Sequence, residues 1–267
     1  MAVMALKTKM LERDPKTALI VELADAHCHL DLIRDSAVIS EAIAYGVDTM
    51  ITNGVDTASN ARSVELADGK HIFAALGVDP EHAMAMGEEE LNFNIGMIRS
   101  NASRIMAIGE VGLDYMKAQS AEERDKQKRV FEGFLELADE LHLPVSVHSR
   151  NAFDDVIKMV SAHNPERAHI HFFEGNAEQV NEIERLGCMI SVPPVESRKR
   201  GRAIKKIGLE RIMVESDAPI VGATPRDVEK AVRSIALLKG ISFERAAEAL
   251  TSNTKSFFNT RRIGLRC

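Results

Sequence analysis

The sequence predicts an α/β protein that folds as a single (β/α)₈ TIM barrel, and three observations lead to this prediction. Eight short apolar runs alternate with segments of helical periodicity, an order typical of parallel strands joined by helices. Of the 267 residues, 45% are hydrophobic but only 4% are aromatic, which suits aliphatic strands buried on both faces. No Pro-, Gly- or Ser-rich linker divides the chain, and such barrels commonly use about 250 residues as one domain.

The predicted strands are short and rich in Val, Ile and Ala. They are Ile20–Ala24, Thr49–Thr52, Ile72–Val78, Ile105–Val111, Pro144–His148, His169–Phe173, Met189–Val192 and Arg211–Glu215. Strand and helix alternate eight times, so the connections should be right-handed and the strands parallel. The sheet could be closed or open, and eight units favour a closed barrel.

Helix boundaries are predicted from capping residues. The clearest helical pattern is Glu122–His142, where Ser120 and Glu123 resemble a capping box at its start. Helix ends are predicted where glycine or Asn-Pro follows a periodic segment, at Gly46, Gly187, Gly208, Gly240 and Asn164-Pro165. Ser242–Asn259 is predicted to add a C-terminal helix to the barrel.

We expect residues 1–18 to be an N-terminal extension and residues 19–260 to form the barrel. The apolar runs are far shorter than the ~18 residues of a membrane span, and Met1–Leu6 is too brief for a signal peptide. The cysteines, which lack metal or redox spacing, are Cys28, Cys188 and Cys267. These features favour a cytoplasmic protein without a membrane anchor, and no obligate protein partner is evident.

Charge bears on the class of partner. The formal net charge of −6 argues against a protein that coats nucleic acid through its overall field. An enzyme acting on phosphodiesters is still possible, because bound divalent cations would reverse the local potential. A basic run after the seventh strand comprises Arg198, Lys199, Arg200, Arg202, Lys205 and Lys206. It either follows a nucleic-acid backbone or is a solvated helix face.

The first strand runs into a His-x-His pattern. Because side chains alternate along a strand, Asp25, His27 and His29 should share one face, where two imidazoles can chelate a cation. The alternative is a packed pair of histidines. Cys28 should point to the opposite face and pack there.

Four further candidate ligands lie at the ends of other predicted strands. Glu110 is near the end of the fourth, His148 ends the fifth, His171 is late in the sixth, and Asp217 follows the eighth. The carboxyl ends of barrel strands form one face, so these side chains should converge although they are distant in sequence. A buried carboxylate is costly unless it is paired or binds metal. We therefore expect a metal centre at this face.

The motifs that carry these residues resemble the TatD-related metal-dependent deoxyribonucleases, within the wider amidohydrolase-like barrels. The matching segments, in the family's order, are Asp25–Asp31, Gly109–Tyr115, Leu143–Arg150, His171–Gly175 and Glu215–Pro219. The resemblance spans nearly the whole chain. It implies a (β/α)₈ barrel that hydrolyses phosphodiester bonds in DNA with divalent metals.

The resemblance also implies the division of the ligands. His27, His29 and Asp217 would hold one ion, His148 and His171 the other, and Glu110 would bridge the two. Two divalent ions are therefore expected as cofactors, with zinc, magnesium and manganese as candidates. DNA or a small phosphodiester is the expected substrate.

Several residues around the ligands have predicted supporting roles. Asp25 and Glu215 lie at offsets from which a carboxylate could orient a ligating imidazole. Arg150 could hold a phosphate in a bidentate contact or form a surface ion pair. His82 is a candidate to replace a substrate-contacting histidine, because the family's usual His-Pro is Asp79-Pro80 here.

Two further departures from the family pattern concern substrate contacts. Glu174 stands where a small hydroxyl residue is usual before Gly175. The stretch 221–226 replaces the familiar Arg-Gly-containing segment after Pro219. The metal ligands thus match the family better than the positions expected to contact substrate.

The predicted chemistry is hydrolysis by a metal-activated water, whose pKa falls far below that of bulk water, towards about 7. Asp217 and Glu110 are the predicted catalytic residues, with Asp217 accepting the water's proton while it ligates a metal. Metal ligands do not choose a substrate, so the alternative is hydrolysis of an amide, lactone or other ester. A metal-storing barrel without turnover is a third possibility.

Overall fold

The computed structural model describes residues 21–163, 165 and 167–260, and within them eight parallel strands form one sheet in sequential order. The strands are β1 (Leu23–Cys28), β2 (Val47–Asn53), β3 (Ile72–Leu76), β4 (Ile105–Asp114), β5 (Val145–Arg150), β6 (Ala168–Ile170), β7 (Met189–Val192) and β8 (Ile212–Val214). The predicted TIM barrel is thereby confirmed. The boundary at residue 19 and the extension before it lie outside the described residues.

Backbone hydrogen bonds join the first strand to the chain just beyond the last one. The Asp217 N–H donates to the His27 carbonyl over 3.0 Å, and the His29 N–H donates to the Ala218 carbonyl over 2.8 Å. These bonds bring the two ends of the sheet together. They also place three candidate ligands within one short stretch of the barrel wall.

Helices follow the strands, as predicted, with one addition. Those in the described part of the chain are α1 (Ser36–Tyr45), α2 (Thr57–Leu66), α3 (Pro80–Ala85), α4 (Glu88–Ser100), α5 (Ala121–Leu141), α6 (Phe153–His163), α7 (Val180–Leu186), α8 (Arg198–Lys206), α9 (Val228–Lys239) and α10 (Phe243–Phe257). Two helices, α3 and α4, follow β3 where one was expected. The extra C-terminal helix is present as α10. No helix in the described ranges is long and apolar enough to cross a membrane.

The predicted helix ends are mostly found. Gly46, Gly187 and Gly240 adopt the left-handed conformation directly after α1, α7 and α9. α8 ends at Lys206, two residues before Gly208, and Gly208 does not adopt the left-handed conformation, because its φ is −58°. Asn164 lies outside the described residues. The capping box of α5 forms as predicted between Ser120 and Glu123.

The interior of the barrel near its amino-terminal end is filled by aromatic rings from α10 and the residue after it. Phe257 and Phe258 are buried and pack against small and aliphatic side chains of the strands, namely Ala26, Ile51, Phe73, Ala75, Ala107, Met189 and Met213. The His169 ring lies 5.9 and 6.0 Å from the two phenyl centroids. Small strand residues leave the space that these rings occupy.

Two strand boundaries differ from prediction in a way that matters for the site. β6 ends at Ile170, so His171 lies in the loop just beyond the strand. β4 runs on to Asp114, so Glu110 lies in the middle of a strand. The pairing of β4 with β5 is irregular between Ile108 and Val111, which is where the Glu110 side chain enters the barrel.

Candidate metal centre

A single carboxylate, Glu110, lies at the centre of the predicted ligands. Its Oε2 is 3.3 Å from His27 Nε2 and 3.5 Å from His29 Nε2. Its Oε1 is 2.7 Å from His148 Nδ1 and 3.1 Å from His171 Nε2. Each oxygen therefore faces a different pair of imidazoles.

The first group contains His27, His29 and Asp217. The Nε2 atoms of the two histidines are 3.3 Å apart, and His29 Nε2 is 3.4 Å from Asp217 Oδ1. His29 Nδ1 lies 3.0 Å from the carbonyl oxygen of Asn53, the last residue of β2. A carbonyl only accepts, so Nδ1 carries a proton and the neutral ring directs a lone pair from Nε2 into the group. Lone pairs that converge in this way require a cation or an added proton between them.

The second group contains Glu110, His148 and His171. His148 Nδ1 is 3.1 Å from His171 Nε2. On the far side of the ring, His148 Nε2 lies 3.3 Å from Asp114 Oδ2, so this carboxylate can hold the ring proton away from Glu110. The far nitrogen of His171, Nδ1, lies 3.7 Å from Glu215 Oε2. Glu215 was predicted to orient a ligating imidazole, and His171 is the candidate ligand that it faces; the role itself stays a prediction.

The two groups lie side by side. The rings of His27 and His171 are stacked, with centroids 3.9 Å apart and planes 9° from parallel. The ligand atoms of His27, His29 and Asp217 all lie within 4.8 Å of one another, as do those of Glu110, His148 and His171. Each group could hold a metal ion. A third combination of His27, His171 and Glu215 meets the same distance limit.

Asp25 has a different role from the predicted one. Its buried carboxylate accepts hydrogen bonds from the Ser216 N–H over 2.9 Å, the Ser216 hydroxyl over 2.5 Å, and the His27 N–H over 3.3 Å. It therefore ties the backbone of β1 to the segment after β8 and supports the ligands through the main chain. Burial raises the pKa of Asp25 to about 8, despite hydrogen bonds that lower it.

The charges of the site favour a bound cation. Burial acts to raise the pKa of Glu110, but His171, His148 and His27 outweigh it and hold the pKa well below its usual range. Burial acts to lower the pKa of His29, but Asp217 and Glu110 raise it to about 9. The buried, ionised carboxylate of Glu110 favours protons on the adjacent imidazoles. A divalent ion bound between these groups would balance the same negative charge in place of the protons.

An open cavity of about 400 Å³ gives access to the centre. Its lining includes His148, Ser149, Arg150, His171, Phe172, Glu174, Asp217, Ile220 and Val221. Arg150 is thus placed beside the candidate ligands, with its side chain 52% exposed and Nη1 4.0 Å from Asp114 Oδ2. Its predicted contact with a phosphate stays a prediction.

His82 lies elsewhere on the same face. Its side chain is 43% exposed, its Nδ1 is 2.7 Å from Asp79 Oδ1, and its Nε2 is 3.6 Å from Asp56 Oδ2. Among the described residues that line the 400 Å³ cavity, His82 is not included. The ion pairs give this histidine a structural partner in Asp79, the N-cap of α3, and its predicted contact with substrate stays a prediction.

Sequence reasoning missed the role of Asp114. This residue is 5% exposed, accepts the N–H groups of Met116 and Lys117, and faces His148. A signal for it was present, because Asp114 follows Glu110 by four residues, and even offsets along a strand direct side chains to one face.

The sequence matches a known protein family over most of its length. The pattern of the family described as TatD related DNase matches residues 24–259. The chain belongs to the TatD related DNase family. The human protein named deoxyribonuclease TATDN3 is 29% identical over 260 residues, which cover 89% of this chain and 95% of that protein. YabD of Bacillus subtilis, named an uncharacterized metal-dependent hydrolase, is 31% identical and covers 88% of this chain and 98% of its own length.

A solved structure agrees with these sequence comparisons. The TatD homologue YjjV of Escherichia coli superposes with a TM-score of 0.83 at 25% identity, covering 90% of this chain and 99% of that one. The predicted family and TIM barrel are confirmed. TatD-family membership also confirms the prediction of a hydrolytic enzyme.

Proposed function

We propose that this TatD-family chain hydrolyses phosphodiester bonds in DNA and uses two divalent metal ions to do so. The observation that carries the proposal is the position of Glu110, whose two carboxylate oxygens face separate groups of ligands. The name deoxyribonuclease, borne by the human relative, supports the choice of substrate.

The residues fit two ions. His27, His29 and Asp217 would hold one, His148 and His171 the other, and Glu110 would bridge them. The positions of hydrogen-bond acceptors support this assignment. The Asn53 carbonyl and the Asp114 carboxylate lie where they can accept the ring protons of His29 and His148, which leaves the opposite nitrogens free to ligate metal. When bound, divalent ions supply Lewis acids that activate water near neutral pH and neutralise charge on a phosphate.

Asp217 is the proposed general base. It lines the 400 Å³ cavity, whereas Asp25 is completely enclosed. Its backbone N–H is fixed to the His27 carbonyl, and its Oδ1 is directed at His29 Nε2. A carboxylate that is both anchored and open to the cavity can remove a proton from an incoming water without moving.

Arg150 is the proposed contact for the substrate phosphate. Its half-exposed guanidinium lies at the cavity wall beside His148 and can reach an anion there. A guanidinium recognises phosphate oxygens through paired N–H donors, which orients the bond to be cleaved. His82 would contact a more distant part of the substrate.

The experiment that tests the function uses protein stripped of metal and reloaded with Zn²⁺, Mg²⁺ or Mn²⁺ in separate samples. Each sample is assayed on single-stranded DNA, bis-p-nitrophenyl phosphate and a panel of lactones and amides. We expect metal-dependent cleavage of the first two substrates. Cleavage of lactones or amides alone would refute the assignment.

A variant pair separates catalysis from mere metal storage. Glu110→Gln should abolish metal-stimulated hydrolysis, because the amide replaces the proposed bridging carboxylate. Glu136→Gln changes an exposed glutamate of α5 in the same way and should keep full activity. If wild-type protein binds metal but hydrolyses none of the substrates, it is a storage barrel.

A further inference from the structure

A buried arginine, Arg200, lies beside the candidate metal centre and has no part in the proposed mechanism. It belongs to α8, and its side chain is only 2% exposed. Nη2 donates to the carbonyl of Val195. Nη1 is also buried, yet it makes no hydrogen bond within the described part of the chain. A charged donor in this state is costly unless something completes its coordination.

The counter-ion of Arg200 is Glu174, but the pairing is loose. Glu174 Oε1 is 3.9 Å from Arg200 Nη1, which is too far for a hydrogen bond. The Glu174 side chain is 60% exposed, so it is free to turn into solvent. Glu174 neutralises the arginine without occupying its donors.

Arg200 does not line the active-site cavity, but it lies close to two side chains that do. Its guanidinium carbon lies 5.8 Å from the centroid of the Phe172 ring. Phe172 and Glu174 both line the cavity that contains His148 and Asp217. If Glu174 turned outward, the free Nη1 donor would be opened towards this cavity.

We propose that Arg200 and Glu174 form a second anion site, which binds a substrate phosphate other than the one hydrolysed. Glu174 is the resident counter-ion and leaves when the phosphate arrives. The planar guanidinium then donates to two phosphate oxygens, a geometry that a carboxylate at 3.9 Å does not reach. The nature of the substrate in this inference rests on the proposed function.

The consequence is a preference for substrates with more than one phosphate. A substrate with a single phosphodiester occupies the metal centre alone and gains nothing from Arg200. An oligonucleotide places a neighbouring phosphate within reach of the second site. A purely structural Arg200, which only ties α8 to Val195, would change stability and leave this preference untouched.

The test measures binding of a fluorescent single-stranded oligonucleotide to chelator-treated protein. We expect Glu174→Gln to lower Kd about fivefold and Arg200→Gln to raise it about tenfold, because one removes the competing anion and the other the donor. In the double variant the gain from Glu174→Gln should vanish, which shows that the two residues act together. Arg200→Gln should raise KM for the oligonucleotide but not for bis-p-nitrophenyl phosphate, with kcat unchanged on both.

Matched controls remove the same charges nearby. Glu178→Gln changes an exposed glutamate a few residues beyond Glu174, and Arg185→Gln changes an exposed arginine of α7 that lies outside the basic run of α8. The second site is refuted if the controls shift Kd as much as the test variants do. Because Glu174 is exposed, its comparison with Glu178 decides the matter even if Arg200→Gln does not fold.

Failure of this inference differs from failure of the proposed function. If the Glu174 and Arg200 variants change binding as expected but the wild-type protein hydrolyses no phosphodiester, the anion site is supported and the proposed function is refuted. If the wild-type protein hydrolyses DNA but Glu174→Gln and Glu178→Gln bind the oligonucleotide with the same Kd, only the anion site is refuted.

Discussion

Asp114 Oδ2 lies 3.3 Å from His148 Nε2, on the side of the imidazole that faces away from Glu110. The other oxygen of Asp114 accepts the N–H groups of Met116 and Lys117 over 2.8 and 3.1 Å. These two donors fix which oxygen faces the histidine. Asp114 therefore offers an acceptor that can hold the ring proton on Nε2 when Nδ1 ligates a metal.

The first prediction follows for Asp114→Asn. The two backbone donors will hold the amide oxygen, so the amide NH₂ will face His148 Nε2 and force the ring proton onto Nδ1. A protonated Nδ1 cannot ligate a metal, so we expect metal affinity and activity to fall about 10- to 100-fold. Calorimetric titration of metal into the metal-free protein measures the change in metal affinity. Asp154→Asn, an exposed substitution in α6, should leave the affinity at the wild-type value.

The second prediction concerns metal stoichiometry. If the two groups hold separate ions, His29→Gln and His148→Gln should each lower bound metal from about two ions to about one per chain. Glu110→Gln should weaken both sites, because its two oxygens serve both groups. Elemental analysis after dialysis gives the content. If His29→Gln and His148→Gln each lost all of their bound metal, the proposal that the two groups of ligands hold separate ions would be contradicted.

The ligands could be predicted because their positions follow from topology. Glu110 and His148 lie in strands and Asp217 lies three residues beyond β8, and the carboxyl ends of these strands must meet at one face. The same argument could not find the pairing of Glu174 with Arg200, which joins the loop after β6 to α8, because no local pattern encodes the relative positions of these two segments. The end of β6 at Ile170 also escaped prediction, because apolar residues and backbone hydrogen bonds to the neighbouring strands continue past it. The His171 N–H donates to the Val147 carbonyl, and the Phe173 N–H donates to the Ser191 carbonyl.

The third prediction concerns pH and His82. Burial lowers the pKa of this histidine, but Asp79 and Asp56 raise it, and the net direction is upward. A raised folded-state pKa stabilises the protein below the unfolded value of about 6.5, and this contribution is lost as the pH rises through the folded value. The stability difference between wild type and His82→Gln should therefore be larger at acidic than at alkaline pH. Because the side chain is 43% exposed, we expect less than about 1 kcal/mol.

Urea unfolding in the presence of chelator, repeated across this pH range, measures that difference without interference from bound metal. Asp79→Asn removes the closest charge partner of His82 and should reduce the pH dependence. A His82→Gln variant whose stability parallels wild type at every pH would show that the ion pairs with Asp79 and Asp56 contribute nothing.

The fourth prediction concerns the aromatic rings inside the barrel. The sequence predicted α10 as an addition to the barrel but not the part that its end plays inside it. Phe258 is 1% exposed and packs edge-on against Phe257 at 4.8 Å, in space left by small residues such as Ala75 and Ala107. Phe258→Ala should leave a cavity that the rigid strands cannot collapse to fill, at a cost of about 3–5 kcal/mol in the free energy of unfolding.

Phe93→Ala is the matched control, because Phe93 lies in α4 with 60% of its surface exposed. It should change the free energy of unfolding by less than about 0.5 kcal/mol. Both proteins are compared by denaturant unfolding with and without metal. Because Phe258 lies inside the barrel below the strand ends that carry the ligands, folded Phe258→Ala should bind metal as wild type does. Equal destabilisation by the two substitutions would mean that the rings do not support the strands from within.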